Sequence, residues 1–208
     1  MLFDRHRPHA FRERRVEPAA AQAVAAAEEA AVLRRATRAP GLRAWAVHLA
    51  HDRMRVVTVE AWNSADAFRQ DPDAREPGVG LFAWVATGGR KPTPVDDPEA
   101  GVIVIDTFPV WRPLVRPVSL FNARNGEGFN RQPGCVSTTV MRGLGVGRIA
   151  TYARWRTVAD FTAAFTATTG HPVDSTDAIN EAAARMTAGL IRTDYHAYDL
   201  VAFQGERS

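Results

Sequence analysis

The stretch Pro40–Phe68, PGLRAWAVHLAHDRMRVVTVEAWNSADAF, aligns without a gap with Pro133–Phe161, PGCVSTTVMRGLGVGRIATYARWRTVADF, at an offset of 93 residues. Pro40 meets Pro133, Gly41 meets Gly134, Val47 meets Val140 and Arg55 meets Arg148. Thr58 meets Thr151, Trp62 meets Trp155 and Phe68 meets Phe161. Val56/Ile149 and Ser64/Thr157 are conservative matches. Seven identities in 29 positions, one of them the rare tryptophan, point to a duplicated module.

The patterns around the alignment agree with that reading. Each copy has a helix candidate before its Pro-Gly pair: alanine-rich Glu17–Arg38 in the first, Pro117–Gln132 in the second. The second is weakened by Gly126 and Gly128. Two β-rich runs follow, Leu42–Ala50 and Met54–Trp62, then Cys135–Arg142 and Arg148–Trp155. The short turns His51–Arg53 and Gly143–Gly147 make each pair a hairpin. Each hairpin leads into a helix, Ser64–Gln70 or Thr157–Thr168, and then a strand, Val79–Ala86 or Tyr195–Phe203. Val102–Val110 reads as the first strand of the second copy, and Ala10–Val16 as a weak first strand of the first.

The expected fold is therefore α+β: two ferredoxin-like β-α-β-β-α-β repeats. Residues 10–87 form the first and 101–205 the second, with a proline-containing linker at 88–100. An antiparallel sheet with helices on one face must bury the other, so the repeats are expected to pack together as an intrachain dimeric α+β barrel. That arrangement serves either a pseudo-dimeric monomer or a homodimer with paired sheet edges.

Strand alternation selects the candidate site residues. Ile149, Thr151, Ala153 and Trp155 share a face, as do Val56, Thr58, Glu60 and Trp62 in the first copy. A tryptophan four residues after a hydroxyl can line a pocket and donate its N–H, or can simply fill the core. Glu60 is either a base with a raised pKa in an apolar pocket or the partner of an arginine. His196 and Tyr198 share a face of the last strand, as a proton relay or as a structural pair. His48 and His51, three apart across a strand and turn, need not converge, and no zinc spacing, phosphate loop or nucleophile elbow occurs.

Composition narrows the classes further. The net charge is +3 and nearly all the basic residues are arginine. The cluster Arg5, Arg7, Arg12, Arg14, Arg15 reads either as a phosphate contact or as a frayed, solvated arm. No aromatics alternate with it, so no nucleic-acid partner is expected. No apolar run reaches the ~18–20 residues of a membrane span, and the N-terminus lacks a secretory h-region. With Cys135 the single cysteine, a cytoplasmic, disulfide-free protein is expected.

The segments Pro133–Ser137, Arg148–Arg156, Asp160-Phe161 and Asp194–Tyr198 together resemble the antibiotic biosynthesis monooxygenase family. The likeness covers most of residues 100–205, and residues 17–87 look like a diverged second copy. It implies a cofactor-independent monooxygenase acting on a polycyclic aromatic polyketide, an anthrone or phenol, with O2 and no metal or flavin. Carried over by position, Trp155 is the pocket tryptophan and Trp62 its counterpart. Anthrone oxygenases of this family often carry asparagine four residues before that tryptophan; here the positions hold Thr151 and Thr58. A polyketide cyclase and a non-catalytic ligand-binding or complex-forming barrel protein are the alternative readings.

Overall fold

The computed structural model describes residues 5–76, 78–89, 99–186 and 192–205. In chain order the elements are β1 (Pro8–Arg15), α1 (Ala21–Arg38), β2 (Leu42–Ala50), β3 (Arg55–Trp62), α2 (Ala65–Gln70) and β4 (Val79–Gly89). There follow β5 (Val102–Pro109), α3 (Val115–Asn130), β6 (Cys135–Gly143), β7 (Arg148–Trp155), α4 (Val158–Thr169), α5 (Thr176–Met186) and β8 (His196–Gln204). The fold is α+β and its elements run in the ferredoxin-like order expected from the sequence. The chain divides into two compact units: described residues through Trp84 together with those from Tyr198 onward, and those from Val85 to Ala197.

In the first unit the order is β4-β1-β3-β2, every pair antiparallel, and Tyr198–Gln204 of β8 pairs with β2. In the second, β7 lies between β5 and β6, again antiparallel. Both central hairpins shift register just after the Pro-Gly pair, between Leu42 and Ala44 and between Cys135 and Ser137.

The Pro-Gly…Trp signature has a local cause that recurs in each unit. The Gly41 carbonyl accepts the N–H of Asn63, and the Gly134 carbonyl that of Arg156, at 2.8 and 2.9 Å. Each tie pins the chain one residue past the tryptophan. A Cβ at Gly41 would lie 2.6 Å from the Cβ of Ala67, and one at Gly134 2.4 Å from that of Asp160. The following helix therefore needs glycine there; Gly134 also has φ +86°. Ser64 and Thr157 cap those helices by accepting the N–H groups of Ala67 and Asp160.

Three expectations are corrected. Arg12, Arg14 and Arg15 are not part of a frayed arm, because residues 8–15 form β1, in register with β3 from His9↔Ala61 to Arg15↔Arg55; Arg5 and Arg7 precede the strand. Arg12 is buried and bonds Glu76, and Arg14 bonds Glu28 and Glu76, so these two cations are spent inside the fold. A further helix, α5, follows α4; Ser175 Oγ accepts the Ala178 N–H at its start. The linker begins later than expected, since Gly88 and Gly89 belong to β4; residues 90–98 lie outside the described residues.

Candidate functional site

In the second unit, alternation along β7 turns Ile149, Thr151, Ala153 and Trp155 toward the helices. Their partners on β5 are Phe108, Asp106, Val104 and Val102. Trp155 is fully buried and packs on Phe161 of α4, ring centroids 5.5 Å apart. Between this face and the helices lies a partly open cavity of about 80 Å³. That is room for several waters or the edge of one aromatic ring.

Three strand residues face it from β7: Thr151, Ala153 and Trp155. Thr138 and Val140 reach it from β6, and Phe161 and Phe165 from α4. Asn122, Gly126 and Phe129 come from α3, and Tyr195 from the segment before β8. Tyr195 is held at its backbone by Asn180, which accepts its N–H at 2.7 Å and donates to its carbonyl at 3.0 Å. Five of the eleven lining residues are aromatic, and the Trp155 indole N–H is buried without a hydrogen-bond partner. A buried, unsatisfied donor costs about 1–3 kcal/mol, so an acceptor brought to it would be stabilising.

The first unit shows the same local arrangement in a closed form. Trp62 is buried and packs on Phe68 at 5.6 Å, as Trp155 does on Phe161. Here, however, the indole N–H donates to Glu60 Oε2 at 3.0 Å. Glu60 Oε1 accepts from Arg35 of α1, which also bonds Asp73. Ninety-three residues on, Glu60 corresponds to Ala153. Carried back into the helices, the same offset sets Arg35 against Gly128. The first unit thus gives its tryptophan N–H a buried, ion-paired carboxylate, whereas the second has Ala153 two residues before Trp155 and no protein acceptor for the Trp155 N–H.

The structure brings together Trp155 and Thr151 at one cavity. Ile149 is buried beside them, packed with Phe108, Val115 and Val140 rather than lining the space. Trp62 and Glu60 meet each other; Trp62 borders a separate surface pocket of about 410 Å³ near Pro40 and Pro72. Glu60 lines neither cavity. Burial pushes its carboxyl up, while Arg35, Arg12 and the Trp62 N–H oppose the shift, so it is a paired structural acid. Thr58 is buried with its hydroxyl unpartnered, next to Arg12 across the β1–β3 pair.

His196 and Tyr198 are not brought to the cavity. Ala197 belongs to the same apolar cluster as Trp155, so alternation points its two neighbours to the opposite face of β8. His196 Nε2 lies 2.9 Å from Asp194 Oδ1, and Tyr198 packs edge-on against His48, centroids 6.5 Å apart.

Sequence reasoning missed Tyr195, Asn122 and the neighbouring Asp106. Asp106 is fully buried on the Thr151 face. Its Oδ1 accepts the Asp194 backbone N–H at 2.7 Å and its Oδ2 has no partner. Burial pushes its carboxyl up to about 7, against the pull of that N–H. The signal was present: a lone aspartate on the apolar face of VIVIDTFP.

No protein-family model and no curated protein matches this chain. Among solved structures it is similar to an anthrone oxidase-like protein, with a TM-score of 0.72 at 14% identity over 98% of this chain and 94% of the other. A protein from Fusobacterium nucleatum subsp. nucleatum, proposed to be a monooxygenase, superposes with a TM-score of 0.61 at 8% identity over 98% and 96%. A ferredoxin-fold protein of Listeria monocytogenes related to antibiotic biosynthesis monooxygenases gives 0.51 at 11% over 94% and 96%. At these identities the likeness is one of fold. Among the described residues no helix is long and apolar enough to cross a membrane.

Proposed function

We propose that this chain is a cofactor-independent monooxygenase that oxidises an aromatic polyketide of anthrone or phenol type at the cavity beside Trp155. The observation that carries the reading is the buried, unpartnered Trp155 N–H at an aromatic-walled space. The chemistry asks little of the protein beyond binding and charge. An anthrone loses a proton, its carbanion combines with O2, and the resulting hydroperoxide loses water to leave a carbonyl. One O2 is consumed; one oxygen atom enters the product and the other leaves as water.

The cavity offers what those steps need. Phe129, Phe161, Phe165 and Tyr195 supply flat apolar walls for the edge of one ring, and the remainder of a polycycle extends through the open side. The Trp155 N–H supplies the donor for an oxyanion, as the Trp62 N–H does for the Glu60 carboxylate. Thr151 adds a hydroxyl in place of the asparagine common in anthrone oxygenases, and Asn122 of α3 brings an amide to the same space. The likeness to an anthrone oxidase-like protein and to a relative of antibiotic biosynthesis monooxygenases supports the reading at the level of the fold.

The direct test is turnover of a dihydroxyanthrone such as dithranol with and without oxygen. Quinone formation that stops under nitrogen and incorporates labelled oxygen from O2 is the expected result. A product that forms equally without O2 would instead mark a cyclase, and binding without turnover a ligand-binding protein.

A further inference from the structure

Asp106 stands out among the buried groups that the proposed reaction does not yet use. It is the cross-strand partner of Thr151, so the two side chains leave the same face of the β5–β7 pair, ~4.5–5.5 Å apart at Cβ. Thr151 lines the cavity, as does Tyr195, whose phenol is pushed up by burial and by the Asp106 charge. One Asp106 oxygen is fixed by the Asp194 N–H, and the other is buried with no partner. A buried carboxyl with one oxygen tied and one open is a proton-holding group beside the only hydroxyl that β7 brings to this cavity.

We propose that Asp106 is the proton acceptor of this site, reached through the Thr151 hydroxyl; the inference rests on the cavity being the ligand site. The ligand's acidic bond to hydrogen breaks and its electron pair stays on the ligand. With the ligand in place, the Thr151 hydroxyl turns to donate to Asp106 Oδ2, which has no other hydrogen-bond partner, and Thr151 Oγ1 takes the ligand's proton as it passes its own on. The net result is a ligand anion and a neutral Asp106, with no change of oxidation state. The Trp155 N–H then holds the new charge, and O2 enters only afterwards.

The charged groups around Asp106 set the direction of its pH dependence. Desolvation raises its pKa and Asp194 adds to that, while the Asp194 N–H, His196 and Arg148 lower it. With a value of about 7, the accepting carboxylate is present above that pH and is lost below it.

The test uses dithranol under nitrogen, where ionised and neutral ligand differ in visible absorption and no oxidation intervenes. The wild-type complex at pH 8 is expected to show the ionised band and to lose it as the pH falls through about 7. Asp106→Asn and Thr151→Val should each cut the band by about tenfold or more while still binding the neutral ligand, read by tryptophan fluorescence. Should Asp106→Asn fail to fold, Thr151→Val and the wild-type pH titration decide the matter. Wild-type levels of ionised ligand in either variant, or a band that does not respond to pH between 5 and 8, would overturn the proposal. A wild-type complex that ionises the ligand yet leaves it intact once oxygen is admitted would overturn the oxygenase reading alone.

Discussion

Trp62 and Trp155 share a position on their strands and a phenylalanine neighbour at nearly the same distance, yet their N–H groups have opposite fates. Trp62→Phe would strand a buried carboxylate oxygen, because Glu60 Oε2 loses its donor. Trp155→Phe would remove a donor that has no protein partner. The volume change is the same in both, so the difference isolates the hydrogen bond. Urea denaturation should show Trp62→Phe less stable than Trp155→Phe by about 1–3 kcal/mol. Ligand binding should respond the other way, weakening in Trp155→Phe alone. Both tryptophans could be read from the sequence, because a rare residue repeats at a fixed offset. The contrast could not, because it depends on whether the residue two before each tryptophan, Glu60 or Ala153, meets a cation from a distant helix. Nor could the position of His196 and Tyr198: alternation puts them on one face but does not say which face carries the helices.

Most elements were legible because each has its own local signal. Hairpin lengths, the Pro-Gly pairs and the Ser64 and Thr157 caps fix β2–β3 and β6–β7 and the helices after them. The start of β1 was less clear, since Arg12 and Arg14 look like a solvated arm until Glu28 and Glu76 supply partners from elsewhere in the chain. Helix α5 was missed because α4 had already filled its slot in the β-α-β-β-α-β order, although Ser175 and the pair Ile179 and Ala182 mark a cap and a buried face. Helix α3 carries the element-scale prediction. Gly126 lies in its interior and lines the cavity, and a Cβ there meets nothing within 4 Å. Gly126→Ala should therefore stabilise the protein by about 0.5–1 kcal/mol through helix propensity, measured by thermal or chemical unfolding. Gly126→Leu should keep that fold stability and lose ligand binding, because its side chain extends into the cavity. A Gly126→Leu protein that binds dithranol as wild type does would show the ligand sits elsewhere.

For the whole molecule, the proposed duplication gives two tryptophans at which one ligand site could form, and the side chains leave only the Trp155 N–H without a protein acceptor. In the first unit Arg35 is buried, hydrogen-bonded to Glu60 and Asp73 and ion-paired at 3.7 Å with Asp71, while Glu60 also holds Trp62. In the second unit the corresponding positions are Gly128 and Ala153, and a cavity remains. A buried ion pair of this kind is hard to remove one half at a time, because the survivor keeps its desolvation cost and loses its partner. Glu60→Ala alone should destabilise the protein by about 3–5 kcal/mol, and Arg35→Gly with Glu60→Ala by clearly less than the sum of the two single changes. The same reasoning fixes the binding stoichiometry. Calorimetric titration of the wild type should saturate at one aromatic ligand per chain, and Ala153→Glu should abolish binding by placing a carboxylate on the Trp155 N–H. Two equal sites per chain, or tight binding retained in Ala153→Glu, would mean that the Arg35–Glu60 pair does not close the first unit or that Trp155 does not face the ligand. Were the double change in the first unit to raise the stoichiometry toward two, the closed site would be shown to differ from the open one by these side chains and not by its backbone.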